Sequence, residues 1–427
     1  MKKISLTVIG LYLFFLHSFA QVSEHYNTSF KSKKLKLEEV NLVTSYYTQD
    51  GNHSAVTGGI GTEKLNDFAN LLELKLVKYG ETGLKHTFIG SLGIDHHTAA
   101  SQKYISKTGA SSPDGTRVYP SANWTVENET KGTMFGIGAY FSNEYNYRSF
   151  ALDAQLGYKN KTGGEFTIKG SAYLDQVKLI YPSELVPTSS AASNNILPYD
   201  QNIIQTTASR SSKSSSGSNS GYNYEEVSIP TSPRNTYTGS FTFSQIINKE
   251  AQFAILLDLV KQDGYLGLPF HRVYFTDNTV KVENLPNTRT KIPIGARLNY
   301  FIGDNLIVKS YYRFYTDNWG LTAHTVSIEM PYKFTPFLSV APFYRYYTQT
   351  ATKYFAPYAK HALSDQYYTS NYSAAAFDSH FMGVNLRVAP PNGFKDTFLS
   401  AMEVRYGHYS QSTDLNSNVI SFHFTLK

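Results

Sequence analysis

The sequence predicts an all-β chain folded as a transmembrane, antiparallel, up-and-down β-barrel of about sixteen strands. Three observations predict it. Segments of alternating apolar and polar residues recur along the chain, and the connections between them sort into short and long by parity. No run of roughly 18 apolar residues, the length a spanning helix needs, follows the N-terminal leader. Such a chain can cross a bilayer only as strands, because lipid leaves no solvent partner for an unpaired backbone group.

The leader comes first. Lys2 and Lys3 precede the apolar run Ile4–Leu16, and Ser18-Phe19-Ala20 gives the small-x-small pattern before a cut at Gln21. Residues 1–20 therefore read as a cleaved secretory signal peptide, with an uncleaved N-terminal helix as the alternative. Residues 21–37 read as an N-terminal periplasmic segment and residues 38–427 as the barrel. With no cysteine in the chain, lipoprotein anchoring, disulfide scaffolds and thiolate metal sites are excluded. The formal charge of +6 loses two with Lys2 and Lys3, and what remains is too mild and dispersed for nucleic acid. The 34 Tyr and 27 Phe stand beside only 17% charged residues, yet the mean hydropathy is −0.33. A barrel reconciles these values, because its apolar residues occupy alternate positions and the intervening ones stay wet.

The strands then follow in order. Leu72, Leu74 and Leu76 alternate with Glu73 and Lys75; Phe135, Ile137, Ala139 and Phe141 alternate with glycines and Tyr140. Leu152, Ala154, Leu156 and Tyr158 oppose Asp153, Gln155 and Gly157, and Phe166, Ile168 and Leu174 oppose Thr167, Lys169 and Asp175. Phe253, Ile255, Leu257 and Leu259 share a face that Leu256 and Val260 blur from behind. Ile294, Ala296, Leu298 and Tyr300 oppose Gly295, Arg297 and Asn299, and Met382, Val384, Leu386 and Val388 oppose Asn385 and Arg387. The chain closes on Ile420, Phe422, Phe424 and Leu426, an amphipathic terminal strand that suits recognition by the barrel assembly machinery, although Lys427 departs from an aromatic terminus.

Every second connection is short: Gly80–Gly83, Asn128–Lys131, Asn160–Gly163, Asn248–Glu250, Gly303–Asn305, Lys333–Pro336 and Pro390–Lys395. The other set holds all the long ones, Asp50–Asn66, His97–Arg117, Pro182–Pro233, Gln262–Thr288 and Thr350–Tyr372. Short periplasmic turns and long extracellular loops sort this way by construction, and an even strand count returns both termini to the periplasm. Tyr79, Phe135, Tyr158, Phe166, Phe253, Tyr300, Phe301, Tyr332, Phe334, Phe337 and Phe398 flank the short turns, as an interfacial aromatic girdle does. Residues 182–233 form a Ser-rich extracellular loop, and its centre Ser209–Ser220 lacks the apolar residues to order itself. It reads either as a loop that caps the mouth or folds into the lumen, or as a solvated loop without a task.

If the apolar faces meet lipid, the opposite faces line a lumen. That lining collects Arg297, Lys309, Arg313, Arg345, Arg387 and Arg405, with Glu329, Glu403 and Asp258 facing the same way. A charge turned to lipid near the midplane costs about 2–4 kcal/mol, which favours the inward orientation. Two segments repeat Arg-x-Tyr-x-polar at period two, Arg313-x-Tyr315-x-Asp317 and Arg345-x-Tyr347-x-Gln349. These residues read as a binding or selectivity lining for anions, or as a salt-bridged plug and packing ladder that passes nothing. Asp95-His96-His97 lies at the outer end of the third strand, but adjacent histidines on a strand point to opposite faces. No catalytic set, metal site or cofactor motif is recognisable.

The segments Ser45–Gly59, Gly61–Asp67, Asp263–Phe270, Tyr312–Gly320, Tyr344–Gln349 and Tyr367–Tyr372 stand out together. With them the chain resembles a bacterial outer-membrane barrel family catalogued as a domain of unknown function, number three-five-seven-zero. The resemblance implies a barrel and brings no activity with it. The expected function is thus a porin-like channel for small, anionic solutes, in contact with outer-membrane lipids. The alternatives are a structural or docking barrel for partner proteins and, more remotely, an outer-membrane hydrolase around Asp95, His96 and His97.

Overall fold

A computed structural model describes residues 33–80, 83–99, 114–185, 229–395 and 397–427. The signal peptide and the Ser209–Ser220 segment lie outside the described residues. The first nine strands are β1 (Lys33–Asp50), β2 (Leu65–Tyr79), β3 (Lys85–Ala99), β4 (Asp114–Asn128), β5 (Thr133–Asn143), β6 (Tyr147–Lys159), β7 (Gly164–Lys178), β8 (Thr231–Ile246) and β9 (Ala251–Gly264). A hairpin of β10 (Arg272–Tyr274) and β11 (Val280–Val282) stands apart from them. The wall resumes with β12 (Thr288–Ile302), β13 (Leu306–Asp317), β14 (Thr322–Glu329), β15 (Tyr332–Thr335), β16 (Leu338–Gln349), β17 (Phe377–Val388), β18 (Leu399–Gln411) and β19 (Asn416–Leu426).

Each wall strand pairs antiparallel with its sequence neighbours, β9 pairs with β12, and β1 pairs with β19 to close the ring. β14 and β15 are one wall strand interrupted at Met330-Pro331, where proline has no N–H to give the ladder. The neighbours still bridge the gap, since Met330 N donates to Pro342 O and Pro331 O accepts from Ile307 N. Counting that pair once, the wall has the sixteen strands the sequence predicts. Closure removes the sheet edges that an open sheet would expose.

The start of β1 and the end of β19 lie at one end of the barrel, and every connection there is short. The opposite end carries long loops over 51–64, 265–287 and 350–376 and short turns over 144–146, 318–321 and 412–415, and the connections 100–113 and 179–230 fall wholly or partly outside the described residues. One turn sits later than its sequence signal. Lys333 remains in β15, and the chain reverses at Pro336-Phe337. β1 starts at Lys33, within the segment assigned to the periplasm, because Lys33 and Lys36 pair across a bulge with Tyr79 and Val77.

The wall's outer face is apolar and open. Leu72, Leu152, Leu156, Ile168, Leu259, Ile294 and Met382 all lie outward and are exposed. Tyr158, Tyr300, Tyr332, Phe334, Phe337 and Phe398 form an exposed aromatic girdle at the termini end. A surface of this composition is stable only against lipid.

Candidate functional site

A fully enclosed apolar cluster lies outside the wall. Val273 and Phe275 are 0% exposed, and both belong to the 265–287 loop. The Phe275 ring meets Tyr368 of the 350–376 loop edge-on at 4.9 Å, and Val56 of the 51–64 loop packs with Phe270. The 51–64 loop springs from β1 and β2, and the 265–287 loop from β9 and β12, half a ring away. Loops rooted on opposite sides of a barrel can meet only over its mouth. These loops therefore form a cap that crosses the opening.

Polar contacts lock the cap. Arg272, buried in the hairpin, donates Nη1–H to Val56 O at 2.7 Å and Nε–H to Glu184 of the 179–230 loop at 2.7 Å. Glu283 is buried beside it. Its carboxylate accepts from Thr369 Oγ1 and from the Leu268 N–H at 2.8 Å, and lies 3.4 Å from His271 Nδ1. Burial alone would push this carboxyl upward, but His271 and the two hydrogen bonds outweigh burial and hold it below the usual carboxylate range. Gly59 adopts a left-handed φ of +88° against the cap, where a Cβ would lie 2.6 Å from Ser370 O. His53 stacks on Tyr372 at 3.7 Å between the same two loops.

A collar beneath the cap joins it to the wall. Tyr47, Tyr347 and Tyr409 each donate a hydroxyl to the side-chain oxygen two residues on, at Gln49, Gln349 and Gln411, over 2.6–2.8 Å. Tyr315 does the same to Asp317 at 2.8 Å. The second residue of each pair then grips a loop. Gln49 donates to Glu63 O, Gln349 to Ser373 O and Ala375 O, and Gln411 to Thr413 Oγ1, while Asp317 accepts from the N–H groups of Trp319 and Leu321. The Arg-x-Tyr-x-polar repeat captures two of these four braces. The shared signal is Tyr-Thr/Ser-Gln/Asp, present at Tyr47-Thr48-Gln49 and Tyr409-Ser410-Gln411 as well.

The structure divides the predicted lining residues into two groups. Lys309 pairs with Glu329 at 3.0 Å, and Arg405 reaches past β16 and β17 to the same carboxylate at 3.3 Å. Such a reach is possible only inside the ring. Arg387 pairs with Glu403 at 2.8 Å, and Asn385 donates to the other carboxylate oxygen. Phe343, which lies over Gly383, supports the Arg405 guanidinium at 3.9 Å. Asp317 is claimed by Arg289, with Nε at 2.9 Å.

The second group is Arg297, Arg313 and Arg345. Among the described residues none of them forms an ion pair with a carboxylate; Arg297 faces Tyr311 at 5.9 Å and Arg345 faces Phe381 at 5.0 Å. Register places Arg297, Tyr311, Ser327 and Arg345 in one row across β12, β13, β14 and β16, with Arg313 in the adjoining row beside Gly295 and Thr325. Arg297 and Arg345 are exposed although they point inward, so the lumen beside them is open space.

Asp95, His96 and His97 do not converge. Asp95 faces the lumen and binds Arg117 and the Tyr119 hydroxyl, the latter at 2.8 Å, while His97 faces inward toward Glu144. His96 points outward to Thr116. The opposite faces follow from the strand alternation.

Over residues 91–419 the sequence matches the family described as Protein of unknown function (DUF3570). The chain belongs to this family. The match includes the Asp263–Phe270, Tyr312–Gly320, Tyr344–Gln349 and Tyr367–Tyr372 segments, whereas Ser45–Gly59 and Gly61–Asp67 precede it. No curated protein matches the chain. Among solved structures it is similar to OpdQ of Pseudomonas aeruginosa, at 10% identity over 92% of this chain and 99% of that one, with a TM-score of 0.35. A BenF-like porin from Pseudomonas fluorescens Pf-5 is similar at 8% identity over 91% and 98%, with a TM-score of 0.40. OccD3 (OpdP) of Pseudomonas aeruginosa is similar at 8% identity over 95% and 96%, with a TM-score of 0.42.

Proposed function

We propose that the protein is an outer-membrane channel of a Gram-negative-type bacterium that passes small anionic solutes beneath an ordered cap. The observation that carries this reading is the row of Arg297 and Arg345 with neighbouring Arg313, all facing the lumen without a carboxylate partner among the described residues. Cations held on one wall of a low-dielectric tube raise the local concentration of anions and favour their passage. The apolar outer band and the aromatic girdle support a site in the bilayer. The exported leader and the short turns at the termini end support the outer membrane, with the cap on the extracellular side.

Planar-bilayer recording across a KCl gradient tests the proposal. The reversal potential should report anion preference, and combining Arg297→Ala, Arg313→Ala and Arg345→Ala should move it toward zero. A cation preference that these substitutions leave unchanged sinks the proposal. The cap supports a second reading, a closed barrel that docks partner proteins. In that case both the native chain and an Arg272→Ala variant stay silent. A silent native chain whose Arg272→Ala variant conducts identifies the cap as a gate.

A further inference from the structure

A cavity of about 200 Å³ lies between the cap and the wall. Its wall side carries Arg234 of β8 and Arg289 of β12, and Lys291 stands within electrostatic reach of both. Arg289 lies 4.3 Å over the Trp319 ring, and Trp319 anchors its own Nε1–H on Thr288 O at 2.9 Å. The two nearby carboxylates are already committed. Asp317 has no exposed side-chain surface and serves Arg289, Tyr315 and two backbone N–H groups. Glu283 serves Thr369, the Leu268 N–H and His271. Arg234, Arg289 and Lys291 therefore outnumber the carboxylates they face.

The rest of the lining is divided evenly between polar groups and an apolar shelf of Leu266, Leu268, Leu285 and Leu321. A charged head and an apolar body fit these two halves together; a bare inorganic anion would leave the shelf wet.

We propose that this cavity binds a small organic acid, with its carboxylate toward Arg234 and Arg289 and its aliphatic body on the leucine shelf. The site deepens the channel reading, because it lies where an anion entering past the cap would first be held. Binding can nevertheless be measured without transport.

The test uses the full chain in detergent micelles. The protein has two tryptophans, and Trp124 lies on the outer face of β4, so a Trp124→Phe background leaves Trp319 as the reporter. Butyrate should change Trp319 emission saturably. Butanol, which lacks the charge, and inorganic phosphate, which lacks the apolar body, should each bind at least about tenfold more weakly. Arg234→Gln, which removes one of the two cavity guanidinium charges, should weaken butyrate about tenfold. Heat-modifiable migration on a gel confirms that each variant still forms the barrel. Absence of a saturable butyrate response, an equal response to butanol, or indifference to Arg234→Gln overturns the site. If anion-selective conductance persists while binding is absent, only the site fails. If binding is present without conductance, only the channel fails.

Discussion

Leu152 in the wall is 52% exposed, whereas Val273 in the cap is 0% exposed, and both are core-type aliphatic residues. The difference shows two modes of stabilisation in one chain. The wall is a closed ladder of backbone hydrogen bonds whose side chains meet lipid on one face and the lumen on the other, so it needs no interior. The cap is a small globular unit that has left lipid behind, and it needs a core, buried ion pairs and satisfied polar groups. Perturbations should therefore separate, and the separation can be tested from the largest effect downward.

The largest effect should follow Arg272→Ala. Removing one partner of a buried ion pair leaves the other uncompensated and costs roughly 3–5 kcal/mol. Here the change also cuts the bond to Val56 O that holds loops from opposite sides of the ring. The cap should open to protease while the barrel keeps its heat-modifiable migration. Concerted loss of both would mean that cap and wall form one cooperative unit. Leu152→Arg makes the reverse test, since a cation on the lipid face near the midplane costs about 2–4 kcal/mol. Urea midpoints of the barrel in lipid should fall, while the cap, once the barrel is folded, keeps its native protease pattern.

Glu283 gives the comparison a pH axis. Its folded value is held below the ordinary carboxylate value of about 4.3, so its contribution is fully present above that value. The contribution is lost as pH falls through the lowered folded value. His271 and Tyr265 are the titratable groups around it. Cap protection should thus be insensitive to Glu283 from neutral pH to about 5 and fall below about 4, with β-sheet circular dichroism unchanged. Glu283→Gln should remove that acid limb. An acid limb that survives the substitution belongs to another group.

The same division explains what the sequence made legible. Strand count and loop parity are local properties, because alternation at period two and turn residues are written into each short segment. The cap depends on contacts such as Arg272 with Val56, 216 residues apart, which exist only once the ring has brought their roots to opposite rims. One local sign was present. Leu266, Leu268, Phe270, Val273 and Phe275 put too many apolar residues in a loop for that loop to be merely solvated. The partition of the arginines was out of reach for a related reason. Arg405 finds Glu329 by passing two intervening strands, a distance along the chain that no periodicity encodes.

The collar is where the two regions meet, and it should show the smallest effects and the most local ones. Tyr47→Phe, Tyr347→Phe and Tyr409→Phe each delete one hydroxyl whose hydrogen bond contributes about 1 kcal/mol. The hydroxyl orients a glutamine whose amide N–H grips a particular loop, so the loss should appear in that loop alone. Hydrogen exchange should quicken over 350–376 in Tyr347→Phe, where Gln349 holds Ser373 O and Ala375 O. In Tyr47→Phe it should quicken over 51–64, where Gln49 holds Glu63 O. In Tyr409→Phe the change should be confined to the short 412–415 turn. If all three variants loosen the whole cap equally, the braces act as one network. If none loosens its own loop, the cap rests on its core and on Arg272, and the collar merely fills space beneath it.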